Sequence, residues 1–181
     1  MIRIAGVVLC LLIVVPTIAI GKKNAVPGPY VSSYLGGTTY LKAVPPGPSG
    51  SPPSTTIFQV QVGTDKLVDT YAWYSDIPAS VEVAWSPIAG RFAVARLLFA
   101  PGISRGHTLD GIVFYLGGTQ TKAYTAAELS RLAGSKLPEL ADVDGILTSR
   151  QVPSTNDYRF AIQLPGMKAI TFDIVTGVAT P

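Results

Sequence analysis

Cysteine is almost missing from this chain of 181 residues: Cys10 is the only one, and it lies inside the apolar amino-terminal run. Past that run there is no thiol, which excludes a disulfide framework, a zinc site built on cysteines and a cysteine nucleophile. Histidine is equally scarce, with His107 alone. Charge is sparse as well, at 14% of residues and a formal net charge of +3, and apart from Lys22 and Lys23 the basic residues stand singly. Such a distribution lacks the basic stripe that holds phosphate backbones or anionic lipid, so no nucleic-acid partner and no membrane contact beyond the leader are expected. Asn24 and Asn156 both lack the hydroxyl residue two positions on that a glycosylation acceptor needs. Neither a G-x-S-x-G nucleophile elbow nor a phosphate-binding glycine loop with its Lys and Ser/Thr occurs.

What is present begins with an address. Arg3 gives a short basic start, residues 4–15 are unbroken apolar, Pro16 interrupts, and Ala19 and Gly21 set small residues three and one positions before Lys22. This pattern predicts a signal peptide over 1–21, cleaved near Gly21, and an exported product, periplasmic or secreted. An uncleaved anchor is the rival reading, because residues 4–20 just reach the roughly 17–25 apolar residues that cross a bilayer. Pro16 and the small residues favour cleavage. The remainder divides into an N-terminal hairpin with a Pro/Gly/Ser-rich loop over 22–56 and a single β-rich domain over 57–181. A domain of about 150 residues buries about 68–70% of its unfolded surface, enough for a core without disulfide staples.

Periodicity makes the fold class mainly β: an antiparallel meander or sandwich-like sheet of blade-like hairpins, with one short helix near 125–134. Strand-like runs flank glycine turns at 34–38, 63–65 and 115–119, and the pentapeptide YLGGT occupies the first and the last of these. The loop over 44–54 is too rich in proline to join a sheet. Residues 57–62 alternate apolar and polar; so do 81–85, which puts Val81, Val83 and Trp85 on one face. Residues 92–99 form a nearly continuous apolar run of the kind found in a covered central strand. The helix is bounded by a capping box, Thr125 to Glu128, and by Gly134 as a left-handed stop, with Leu129 and Leu132 expected on one face. Strands near 146–148, 158–164 and 169–175 close the chain, followed by a turn at Thr176 and Gly177 and a short tail.

Three segments, Val83-Ala-Trp-Ser-Pro87, Arg91-Phe-Ala-Val-Ala95 and Val113-Phe-Tyr-Leu-Gly-Gly118, follow one another as strand, strand and glycine turn. On them, residues 81–124 resemble a single blade of a WD-type or related bacterial β-propeller. The resemblance implies a four-stranded antiparallel meander there and carries over no functional residue, because such blades serve scaffolds, binding modules and hydrolases alike. The turn glycines Gly36, Gly63, Gly117 and Gly177 do not recur at the roughly 40–45-residue period of blades, so a full propeller is not expected.

Three constellations bear on chemistry. Ser104, His107 and Asp110 fall within one short loop, whereas a working triad draws its members from distant segments, so an exposed loop histidine is the plainer reading. Asp142 and Asp144, with Glu139 nearby, precede Gly145 as calcium-binding carboxylates do, but the further ligands of a calcium loop are missing; no metal and no cofactor are expected. Trp73 and Tyr74, with Tyr71 and Trp85, suit either an aromatic binding surface for sugar or peptide or ordinary cross-strand packing. The function expected is therefore binding without catalysis: an exported interaction module, inhibitor or envelope-assembly component with a protein partner. A secreted hydrolase using the 104–110 loop and a membrane-anchored structural protein that keeps its N-terminal helix are the alternatives.

Overall fold

The computed structural model describes residues 28–99, 109–134, 146–152, 157–163 and 169–180. The segment 1–21 expected to be a signal peptide, Ser104, His107, Glu139, Asp142 and Asp144 lie outside the described residues. The described chain is mainly β, and its strands form three four-stranded antiparallel sheets. The first sheet contains β1 (Tyr30–Tyr34), β2 (Thr39–Val44), β3 (Ser54–Gln59) and β4 (Lys66–Tyr71). The second contains β5 (Val81–Ser86), β6 (Arg91–Phe99), β7 (Leu109–Leu116) and β8 (Thr119–Thr125). The third contains β9 (Ile146–Val152), β10 (Asp157–Gln163), β11 (Ile170–Asp173) and β12 (Ala179–Thr180), and α1 (Ala126–Ala133) stands between the second and third. In every sheet the neighbours in space are neighbours in sequence, as expected where short turns reverse the chain.

The sheets stack, and side-chain alternation explains how. Val81, Val83, Phe92 and Val94 of the second sheet pack with Leu41, Ala43, Ile57 and Tyr71 of the first. Their alternates Ala84, Ala93, Ala95, Leu97, Ile112 and Phe114 pack with Phe160, Ile162, Ile170, Phe172 and Ile174 of the third. The middle sheet is thus covered on both faces, which is why β6 reads as a nearly continuous apolar run, broken by Arg96, although its neighbours are antiparallel. β5, β6, β7 and β8 form the four-stranded meander expected there.

Several boundaries differ from the sequence reading. β3 begins at Ser54 and ends at Gln59, leaving Val60 and Val62 exposed in a turn. Its register is fixed by Leu41 against Ile57, both fully buried, while Asp65 holds the turn by accepting from the Gln61 amide and the Tyr40 hydroxyl. A division of the chain at 56/57 therefore falls inside β3, which pairs with β2 and β4 alike. The tail after Gly177 adds β12, paired to β11 through Thr171 and Thr180. Both YLGGT segments are hairpin turns, and the second runs through Gly117 at φ 53° and Gly118 at φ 83°, the left-handed pair that a tight two-residue turn requires.

α1 forms as its end signals predict. The Thr125 hydroxyl accepts from the Glu128 amide and the Glu128 carboxylate accepts from the Thr125 amide, at 3.3 and 2.7 Å, and Gly134 closes the helix at φ 69°. The Thr125 amide and hydroxyl hold the Glu128 carboxyl below its usual pKa. Its buried residues are Leu129 and Ser130, whereas Leu132 is about half exposed, so the two leucines do not share one buried face. An eight-residue helix lays down little more than two turns, and the contact is centred on Leu129.

Candidate binding groove

Trp85 ends the row Val81, Val83, Trp85 that faces the first sheet, but where the valines are buried the indole is 38% exposed. Two things place it at the mouth of the interlayer. The chain turns straight after it, with the Gly90 amide donating to the Ser86 carbonyl and the Ala89 amide to the Ser86 hydroxyl. Phe92, its cross-strand partner, meets the indole edge-on at 4.9 Å and supports it from inside.

Two cavities share this ring and Phe92 in their lining. One, of about 380 Å³, is lined by Leu35, Thr38, Trp85, Pro87, Phe92 and Tyr158. The other, of about 390 Å³, is lined by Lys66, Asp69, Arg91 and Gly117 together with Trp85 and Phe92, and Gln59 reaches both. The first has no Lys, Arg, Asp or Glu in its lining; the second sets two cations against one carboxylate. Burial raises the Asp69 carboxyl above its usual pKa while Arg91 draws it down, and its buried Oδ2 has no hydrogen-bond partner.

At the other end of the β5–β6 pairing, opposite Val81, is Arg96. Its guanidinium donates to the Tyr74 carbonyl at 2.7 Å, lies 4.6 Å from the centre of the Trp73 ring and is hydrogen-bonded to Tyr115. Burial lowers the Arg96 pKa, Tyr115 opposing, and its Nε has no partner. Tyr71 and Tyr115 each lie against Trp73, and Tyr30 lies against Tyr74. Burial, with Tyr74 adding to it, pushes the Tyr30 hydroxyl up to about 12.

Trp73 and Tyr74 are therefore half-buried in the packing around Arg96, and the Tyr74 hydroxyl donates to the Gly28 carbonyl. Of the four aromatics weighed in the sequence, Trp85 is the one that lines the cavities. Asp110 is exposed on β7, and its expected companions Ser104 and His107 lie outside the described residues. Among the described residues no group of three or more His, Cys, Asp or Glu could hold a metal ion, and no helix is long and apolar enough to cross a membrane. The polar residues of the groove, Gln59, Lys66, Asp69 and Arg91, escape sequence reasoning because strand ends of two sheets bring them together. The signal that points to the place is a tryptophan on the inward face of β5, two residues before Pro87. Comparison with protein-family models, with curated proteins and with solved structures finds no match.

Proposed function

We propose that this chain is an exported binding module that recognises a protein partner and performs no chemistry of its own. The observation that supports this reading is the part-exposed Trp85 in the lining of two cavities. An indole supported by a buried phenylalanine and bordering open space suits an anchor for a partner, since tryptophan is over-represented among the residues that carry interface energy. Stacked meanders supply the stiff support such an anchor needs. The test is affinity capture from the exporting host with wild-type protein and with Trp85→Ala, matched by thermal unfolding. A partner held by the wild type and lost by Trp85→Ala is the expected result; equal capture by both sinks the groove as the recognition surface. His107→Ala should leave capture intact. A hydrolysis abolished by His107→Ala with the fold preserved would put the secreted hydrolase in its place.

A further inference from the structure

We infer that two copies of this chain close on each other, the outward face of the first sheet in one copy seated on the outward face of the third sheet in the other, and the reverse. The contact is separate from the Trp85 groove, which lies between the first and second sheets, and it goes beyond the binding reading above.

Pairing defines the first of these faces. Leu41 and Ile57 point toward the middle sheet, so their neighbours Tyr40 and Phe58 point away from it. Ser33, Tyr40, Phe58 and Leu67 are paired in turn and make one row across all four strands, with Val31 in the next row. Leu67 is 57% and Val31 63% exposed, and Lys42 is the one charge among the described strand residues that face this way. The third sheet shows what such a face looks like when covered. Its Phe160 and Phe172 are cross-strand partners on β10 and β11, as Tyr40 and Phe58 are on β2 and β3, the same second and third strands of their sheets. Phe160 and Phe172 are fully buried beneath the middle sheet, whereas Tyr40 and Phe58, stacked at 5.0 Å, stay part-exposed. The first sheet thus carries the pattern of a covered face without its cover.

Inside the chain each such face is covered by the sheet that precedes it in sequence: the first covers the second, and the second covers the third. The counterpart for the first sheet is the third sheet of another copy. On that sheet Phe160 and Ile162 point inward, so Ala161 points outward. Thr148, Ala161, Thr171 and Thr180 are paired in turn as a row of small side chains, with Ala161 as its floor, and a row of aromatic side chains can lie across it. The charges Arg150, Arg159 and Asp173 are confined to the neighbouring row.

Shape and size favour a closed pair. Packed sheets ordinarily stand about 10 Å apart, yet β5 comes within 8 Å of β1 on one side and of β9 and β10 on the other. The stack is pinched along the edge where β1, β5 and β9 lie, and so it bends toward that edge. A bent stack closes on a few members, where a straight one would run on as a filament. Four strands about 4.8 Å apart and six residues long, at roughly 3.3 Å each, give a face of about 19 by 20 Å. Two copies that close cover four such faces, about 1,500 Å², within the roughly 1,200–2,000 Å² of a specific protein–protein interface.

The full chain, expressed from Met1, is studied by sedimentation equilibrium. A mass of two copies that falls to one on dilution is expected. Val31→Asp with Leu67→Asp should weaken the pair at least tenfold; both side chains are more than half exposed, so the fold survives, which thermal unfolding verifies. Trp85→Ala should leave the pair intact. The faces are assigned with a short bis-maleimide in a Cys10→Ser background, which removes the only native thiol. Lys42→Cys protein should couple to Thr171→Cys protein, and neither should couple to itself. Thr148→Cys, on the same row, replaces Thr171→Cys if loss of the Thr171 bond to Thr180 unfolds it. A single copy at every concentration, a pair unmoved by the double change, an open-ended assembly, or Lys42→Cys protein coupling to itself would each overturn the inference.

Discussion

The two faces of the middle sheet have been put to different uses. Toward the third sheet it presents Phe114 at the centre of an aromatic cluster, 4.8 Å from Phe172 and 6.0 Å from Phe160, all fully buried, with Ile112, Ile162 and Ile174 filling around them. Toward the first sheet it presents Arg96, Tyr115 and the groove. Of the described buried polar side-chain atoms without a partner, the hydroxyls of Tyr30 and Tyr71, Asp69 Oδ2, Trp73 Nε1 and Arg96 Nε all lie on this side, against Ser130 Oγ alone on the other. Unmet hydrogen bonds in a buried layer cost stability, about 1–3 kcal/mol for each fully desolvated group. One interlayer is accordingly the anchor of the fold, and the other trades cohesion for polar and aromatic surface beside the groove. Dry packing and a more polar, aromatic-rich layer are thus separated by the thickness of a single sheet.

Breaking that comparison begins with the dry side. Phe114→Ala should destabilise by about 3–5 kcal/mol in urea unfolding, the usual cost of a phenylalanine cavity in a packed core. A loss below 1 kcal/mol would show that the aromatic cluster is not where stability resides. On the wet side Arg96→Ala should cost less, about 1.5–3 kcal/mol, as hydrogen bonds to the Tyr74 carbonyl and Tyr115 go. Arg96→Met keeps most of the volume and removes the unpartnered Nε, so it should recover a good part of the loss; a methionine variant as weak as the alanine one would mean that the charge itself holds the layers together.

Alkaline pH offers a gentler probe. Burial raises the hydroxyl pKa values of Tyr30, Tyr34, Tyr71 and Tyr115, all in the wet interlayer or against it. With folded pKa above the unfolded value of about 10, the native state holds protons that the unfolded chain releases; this stability is intact below pH 10 and drains away as pH rises, through about 12 for Tyr30. Urea midpoints should fall above pH 10, and amide exchange should accelerate in β1–β4 before β9–β12; the opposite order would contradict the contrast. The smallest effect is expected from Asp69→Asn. Because the folded pKa of Asp69 is raised, the wild type gains stability as pH falls through that value, and the gain is complete below the unfolded value near 3.9. The asparagine variant lacks this gain, so its stability should rise less on acidification and sit within about 0.5 kcal/mol of wild type at pH 7.

How much of this was legible in the sequence depends on whether the cause is local. The capping box of α1 and the two glycine turns are contacts within a few residues, and they were readable from Thr125, Glu128, Gly117 and Gly118. The row Val81, Val83, Trp85 was readable because strand alternation is local too. β12 was not, since Ala179 and Thr180 are too short a run to show alternation and are ordered by pairing with β11. Leu132 misled because helical spacing fixes an angle around the axis, not which neighbour arrives there. The groove depends on Lys66, Arg91 and Gln59 meeting across two sheets, and Trp73 and Trp85 differ in role only because Arg96 lies against the one and open space against the other.

The double coverage of β6 also restricts how the chain can vary. An ordinary half-buried strand offers every second position to drift; over 92–97 this one offers none, because even positions are walled by the first sheet and odd positions by the third. Substitutions at Phe92, Val94 and Arg96 must be accommodated by β2–β4 and the segment around Trp73, and those at Ala93, Ala95 and Leu97 by β10 and β11. One strand thus carries two interleaved constraints, so that a lineage can vary the layer beside the groove through the even positions without disturbing the partners of the odd ones.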